Sequence, residues 1–303
     1  MFLGQIVKTL TRNRRSEEIT AYLFLLPVAV LWFIWFLIPT AYSMFISLYK
    51  YSFVAVSQNH FVGLGNYIRV LKDPDFYKAL KNTLFLTFVA VPAQSLIAFL
   101  LAIALNLRIK FRDVFRTIYY VPYVVSTIAV TTVFMYLFVK GSPLTRLFSL
   151  FGLDNVTWYV DFKLALPFIT IVYVWQQIGF YIVIFLSGLQ TVPRELYESS
   201  EVDGASPFQR TIYITVPMLK PVIFMVLVYG MIHALQVFDQ VAAVAQNQPL
   251  GSPAGATSTL VSFFYVQSFK NWEMGYGSAI AVIIFAIIFI FTMIQKKFIG
   301  NEE

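Results

Sequence analysis

The 303-residue sequence contains no cysteine and only two histidines, His60 and His233. Disulfides and thiolate metal sites are therefore excluded, and a histidine-built metal centre lacks its ligands. No G-x-x-x-x-G-K-[ST] loop occurs, which excludes nucleotide binding of the P-loop kind. Neither H-E-x-x-H nor G-x-S-x-G is present, so the usual zinc-hydrolase and nucleophile-elbow sites are missing. Gly63 and Gly65 fall short of a dinucleotide fingerprint, because no strand precedes them and the third glycine is absent. Charge is scarce as well: charged residues make up 12% of the chain, about half the share in a soluble domain. Hydrophobic residues make up 59% and the mean hydropathy is +0.73, so the chain reads as an integral membrane protein. There is neither an internal repeat nor a low-complexity tract.

Six windows with little or no charge are long enough to cross about 30 Å of hydrocarbon. They lie near 21–49, 82–107, 117–139, 165–190, 218–240 and 275–295, which predicts an all-α polytopic protein with six transmembrane helices. Before the first span, Phe2, Leu3, Ile6, Val7 and Leu10 share one helical face, the pattern of a short helix lying on the bilayer surface. The basic run Arg12, Arg14, Arg15 follows, and it reads as an orienting cluster rather than a twin-arginine signal. Asp73-Pro74 predicts a cap and first turn of a helix leading into span 2.

Lys and Arg near alternate span ends divide thirteen against nine. The larger set lies before span 1, between spans 2 and 3, between spans 4 and 5 and after span 6, and it includes Arg108, Lys110, Arg112 and Arg116. The positive-inside rule makes that side cytoplasmic, together with both termini. The net charge of +7 is explained by basic residues facing anionic lipid, and no basic face with interleaved aromatics points to nucleic acid.

The stretch Arg194 to Pro221 is the one long charge-dense interruption in the second half, with Glu195, Glu198, Glu201 and Asp203 inside nine residues. Its chemistry predicts two short helices joined by a turn. Pro193 suits a first turn and Glu195 the positive end of a helix dipole. Gly204 suits a left-handed C-terminal cap. Ser206-Pro207-Phe208-Gln209 then offers a serine cap, a proline at the first helical position and a glutamine to close a capping box. Phe208, Ile212 and Val216 form one apolar stripe, and Pro217 and Pro221 mark the change to the next span.

This run resembles the EAA loop of the membrane subunits of bacterial and archaeal ABC importers. Glu198, Gly204, Ile214 and Pro217 fall in register, with Ser199 and Ser200 in place of two alanines and Val216 in place of a leucine. The Phe61 to Thr83 stretch and the Gln246 to Ser258 loop, with Phe264-Tyr265, Phe269 and Gly275 to Ala279, are similar to carbohydrate-type permeases of the maltose and glycerol-phosphate kind, specifically the first of two paired permeases. The resemblance covers nearly the whole chain and implies the type I ABC importer permease fold in its compact six-span form. The expected division is 1–50 for a surface helix and first span, 51–81 for an extracytoplasmic segment, and 82–299 for a five-span core that includes the loop 194–221.

The resemblance further implies a multi-pass protein of the prokaryotic cell membrane that carries no cofactor and hydrolyses no ATP itself. Its partners would be a second six-span permease, two cytoplasmic ATPase subunits and an extracytoplasmic substrate-binding protein. Glu195, Glu198, Glu201, Asp203, Gly204, Ala205 and Phe208 would couple to the ATPase, whose closure would switch the pathway from inward- to outward-facing.

Polar groups at membrane depth face a cavity or another helix. In span 4, Tyr173, Gln176, Gln177 and Tyr181 recur at helical spacing, which fits either helix adhesion or a sugar-binding surface of amides and aromatic faces. The sugar-lining positions of maltose-type permeases fall on Tyr173, Gln176, Gln177 and Phe180, and in span 5 on Gly230, Ala234 and Val237, none of which is polar. Gln236 is counted with them as a candidate contact. His233 reads as a packed imidazole, and Asp239 as a residue near the outer interface. The resulting expectation is a permease subunit of a sugar importer. The alternatives are an ABC permease for a polyamine or phosphate, an ion-coupled secondary transporter, for which only Asp239 is available as an intramembrane acid, and a membrane-embedded enzyme, which lacks catalytic residues.

Overall fold

The computed structural model describes residues 18–54, 56–107, 111–152, 155–246 and 248–299. The predicted surface helix at Met1 to Leu10, the basic run Arg12, Arg14, Arg15, and Arg108 and Lys110 lie outside the described residues.

Among the described residues five helices are long and apolar enough to cross a membrane. The first, α1 (Glu18–Ile46), contains a π turn at Phe33–Leu37 and is exposed along almost its whole length. Its C-terminal part packs on the last helix, and Pro39, Ser43 and Met44 line a cleft there with Ala281 and Phe285. A two-strand antiparallel ribbon, β1 (Tyr49–Lys50) with β2 (His60–Phe61), follows and is the only departure from helix among the described elements. The short α2 (Gly65–Lys72) comes next. Then α3 (Pro74–Asn106) begins where the sequence placed its cap: Asp73 accepts from the Asp75 N–H at 2.9 Å and Pro74 opens the helix. The helix therefore starts eight residues before the expected span, because a capped polar turn adds to it without needing apolar residues.

The expected third span is not one helix. It is broken into α4 (Arg112–Val124) and α5 (Thr127–Leu137), bent by 99°. Val125 is extended (φ −73°, ψ 146°), and the break follows Pro122 in a segment of β-branched Val124, Val125 and Thr127 that favours helix weakly. After the short α6 (Pro143–Ser149), the fourth span appears as α7 (Ala165–Leu189). Arg194–Val202 forms α8, and α9 spans 207–218 with a π turn at Thr211–Thr215. The fifth span runs from Lys220 to Ala245 as α10 (Lys220–Leu235) and α11 (Asp239–Ala245), with the helix interrupted between Gln236 and Phe238 but without the sharp bend of the third. Leu260–Tyr265 is α12, and Met274–Ile299 is α13, the sixth span.

The centre of the bundle is the pairing of α3 with α7. Ala90, Ala98 and Ala102 of α3 are fully buried, so the two helices approach closely and pack Tyr181, Ile182, Phe185 and Leu189 between them. Small residues at such contacts serve membrane helices well, since lipid tails offer no hydrophobic drive and packing must supply the attraction. At the end of the bundle away from α8, Arg69 of α2 pairs with Glu273 at 2.8 Å and lies 4.1 Å from the centre of the Tyr276 ring. The Tyr276 hydroxyl donates to Asp73 at 2.7 Å, which ties α2, α3 and α13 together.

Candidate functional site

The loop between α7 and α10 is built from local chemistry. Pro193 is the N-cap of α8 in an extended conformation (ψ 134°), one residue before the first turn predicted for it. Asp203 ends the helix, and Gly204 follows at φ +77°. The Ala205 N–H donates to Ser200 O at 2.9 Å and the Gly204 N–H to Glu201 O at 3.1 Å. Those two bonds are the Schellman pattern, which uses the left-handed glycine to satisfy carbonyls that the helix end would orphan. Ser206 then accepts from the Gln209 N–H at 3.3 Å, while Gln209 Oε1 accepts from the Ser206 N–H at 2.8 Å, closing the predicted capping box.

Two further contacts join the short helices. The hydroxyls of Tyr197 and Thr215 are 2.9 Å apart, and Arg210 Nη1 lies 3.5 Å from Glu201 Oε2. Ser200, Thr215 and Leu219 are buried against the bundle, and Tyr197 and Ile214 pack on the α3–α7 core. The opposite face is open. Glu195, Glu198, Glu201, Asp203 and Gly204 are exposed, Ala205 is half-buried, and Phe208 and Val202 are 72% and 89% exposed. Ile212 is exposed and Val216 half-buried, so the predicted stripe turns its first two members outward. A capped unit thus presents acids and apolar side chains, Val202 and Phe208 foremost, on its open face.

The second candidate region lies along α4, α7 and α10. Tyr123 stacks on Phe180 with ring centres 4.8 Å apart and planes at 17°. Phe180 also meets Tyr229 at 5.0 Å, and Tyr229 meets His233 at 4.1 Å. Tyr120 joins Tyr123 at 5.6 Å. An open cleft of about 580 Å³ adjoins this cluster, lined by Arg116, Thr117, Tyr120, Val124, Phe180 and Val183 among others. His233 and Gln236 are exposed and Gln177 is half-buried.

Of the residues singled out in the sequence, the structure brings Gln177 and Phe180 to the accessible side of α7 and Gln236 to the exposed end of α10. Tyr173, Gln176, Tyr181, Gly230, Ala234 and Val237 are buried in helix contacts in this conformation. At Gly230 a Cβ would come within 3.1 Å of Gln94 Nε2 and 3.2 Å of the Tyr181 hydroxyl, so the glycine lets α10 close against α3 and α7. Gln176 is bonded on three sides: its Nε2 donates to Val125 O at 3.2 Å and to Thr127 Oγ1 at 3.1 Å, and its Oε1 accepts from Gln240 Nε2 at 3.3 Å. Tyr120, Tyr123 and Tyr229 were not singled out in the sequence. Their one local signal is helical spacing, Tyr120 with Tyr123 and Tyr229 with His233.

Residues 94–299 match the family described as the binding-protein-dependent transport system inner membrane component. The chain is 34% identical to the trehalose/maltose transport system permease protein MalF of Thermococcus litoralis, across 95% of this chain and 96% of that one. It is 33% identical to the arabinooligosaccharides transport system permease protein AraP of Bacillus subtilis, across 94% of this chain and 90% of that one. In fold it is similar to a chain of a bacterial alginate ABC transporter crystallised with an alginate pentasaccharide-bound periplasmic protein. The TM-score is 0.77 at 20% identity, covering 94% of this chain and 95% of that one.

Proposed function

The chain belongs to the family of binding-protein-dependent transport system inner membrane components, and from that membership we propose that it forms half of the pathway of an ATP-driven importer for a sugar or oligosaccharide. The observation that carries the coupling half of this reading is the capped loop Arg194 to Met218. It is braced on the bundle and offers Glu198, Val202 and Phe208 outward, which is the form of a lever that docks in a cleft of another protein. That protein is a cytoplasmic ATPase, present in two copies, and the loop and both termini face the cytoplasm. The chain itself hydrolyses nothing; Glu195, Glu201, Asp203, Gly204 and Ala205 shape and charge the docking surface around Glu198 and Phe208. A second six-span permease supplies the other half of the pathway, and an extracytoplasmic binding protein delivers substrate.

The sugar half rests on the surface made by Tyr123, Gln177, Phe180, Tyr229, His233 and Gln236. Exposed amide and imidazole groups at membrane depth are costly against lipid and are at home in a watered cavity. Aromatic faces beside hydrogen-bonding groups match a sugar, which has apolar ring faces and a rim of hydroxyls. The related permeases that handle trehalose/maltose and arabinooligosaccharides support the same assignment.

Purification of the tagged chain from its own host, followed by reconstitution in liposomes with ATP inside and the copurified binding protein outside, tests the proposal. ATP-dependent uptake from a panel of neutral oligosaccharides is expected. Uptake of a polyamine or phosphate with no sugar uptake would overturn the sugar assignment, and transport by the chain alone without ATP would overturn the importer.

A further inference from the structure

One span of this bundle is sharply broken, α4/α5 at Val125-Ser126, and a second, Lys220–Ala245, is interrupted between Gln236 and Phe238 without such a bend. A helix break at membrane depth frees backbone groups that water does not reach, and each must find another partner. Side chains from distant segments supply them. Thr259 donates to Val237 O at 2.8 Å, and Gln176 donates to Val125 O at 3.2 Å. Gln176 is also bonded to Thr127, the first residue of α5, and to Gln240 in the first turn of α11. One buried amide on an unbroken helix therefore bonds to elements of both discontinuities.

We propose that Gln176 and Gln240 are a positioning pair: they fix the corner between α4 and α5 to the start of α11, so that the two interrupted spans move together when the pathway switches. The proposal rests on the importer reading for its function, and on the geometry alone for the corner. It assigns the buried amide of Gln176 to the protein's own backbone rather than to substrate, which leaves Gln177 and Phe180 on the same helix to face the sugar. The corner begins two residues after Tyr123, whose ring stacks on Phe180, so loss of the corner also loosens that stack. Conversion of both glutamines to leucine keeps the bulk and removes every donor.

The absence of cysteine in this chain makes the test direct. Cysteines replacing Ile118 on α4 and Asp239 in the first turn of α11, both exposed, carry a pair of spin labels from the corner to α11 in the full complex built with cysteine-free partner subunits. The distance distribution is expected to be narrow in the parent and broadened in Gln176→Leu and in Gln240→Leu. The sugar-stimulated share of ATP hydrolysis is expected to fall roughly threefold to fifteenfold in either variant, as interhelical hydrogen bonds in membranes allow, with the double variant no worse than Gln176→Leu. Gln240→Leu serves where Gln176→Leu fails to assemble. A distribution that stays narrow in both variants overturns the proposal; if the sugar KM then rises in Gln176→Leu alone, Gln176 is a substrate ligand. A parent complex that moves no sugar overturns the importer reading, while the distances still judge the corner.

Discussion

Gly179 on α7 lies against the backbone carbonyl of Tyr119 on α4, so close that a Cβ at position 179 would overlap that oxygen and crowd the Tyr120 Cα at 2.9 Å. Only hydrogen fits between the two helices at that level, and the contact sets how deeply α4 sits beside Phe180. Because the obstruction is backbone and not a flexible side chain, Gly179→Ala must push α4 away. The cost is expected in the range of overpacking, about 1–3 kcal/mol. A thermal melt of the purified complex should show a lower midpoint, with sugar transport reduced; an unchanged midpoint would mean that α4 yields freely.

At Gly204 the situation is reversed. Nothing lies within 4 Å of a Cβ built there, yet φ is +77°. Space is not the obstacle, so any penalty is conformational. Gly204→Val should cost about 1–3 kcal/mol in the loop alone, with Gly204→Ala milder. The expected phenotype is a complex that inserts and assembles but hydrolyses ATP with weak transport, measured together in liposomes. Full retention of both activities in Gly204→Val would remove the left-handed cap from the mechanism.

Phe208 and Val202 are, with Tyr213, the most exposed apolar side chains of the loop proposed to dock the ATPase. A buried aromatic anchor typically accounts for about 2 kcal/mol or more of an interface. Phe208→Ala should therefore weaken capture of the ATPase by roughly thirtyfold, read by titration of purified ATPase onto the permease. Arg210→Ala, which removes a 3.5 Å ion pair between a mostly covered guanidinium and the exposed Glu201, should change capture less than Phe208→Ala does.

Membrane sidedness can be read at Val202, which is 89% exposed, whereas Ser200 is buried with its hydroxyl donating to Tyr197 O and would label poorly. Val202→Cys should react with an impermeant maleimide in inside-out vesicles stripped of ATPase and stay unlabelled in intact cells. Labelling from outside would reverse the proposed topology.

Phe180→Ala should raise the sugar KM by about twofold to tenfold, the worth of one aromatic contact. The maximal rate should change less, since the corner held by Gln176 is untouched. Uptake with unaltered KM would place the sugar elsewhere in the bundle.

The sequence by itself determined every feature whose cause lies within a few residues. The caps at Asp73-Pro74 and Ser206 to Gln209 and the left-handed turn at Gly204 depend on local hydrogen bonding and local backbone freedom, and each stands in the structure where the sequence put it. Only the tertiary structure decided the rest. Composition shows a single apolar run from 117 to 139, because hydropathy does not register that two extended residues can be tolerated once Gln176 satisfies a carbonyl 51 positions away. The same amide reads in the sequence as glue or as a sugar contact, and only the packed bundle shows that it bonds Val125 O, Thr127 and Gln240. Tyr123, Phe180 and Tyr229 are unremarkable aromatics in three separate spans, and they become one surface because Gly179 lets α4 press onto α7. Such features depend on which distant side chains meet, and that is set by helix packing.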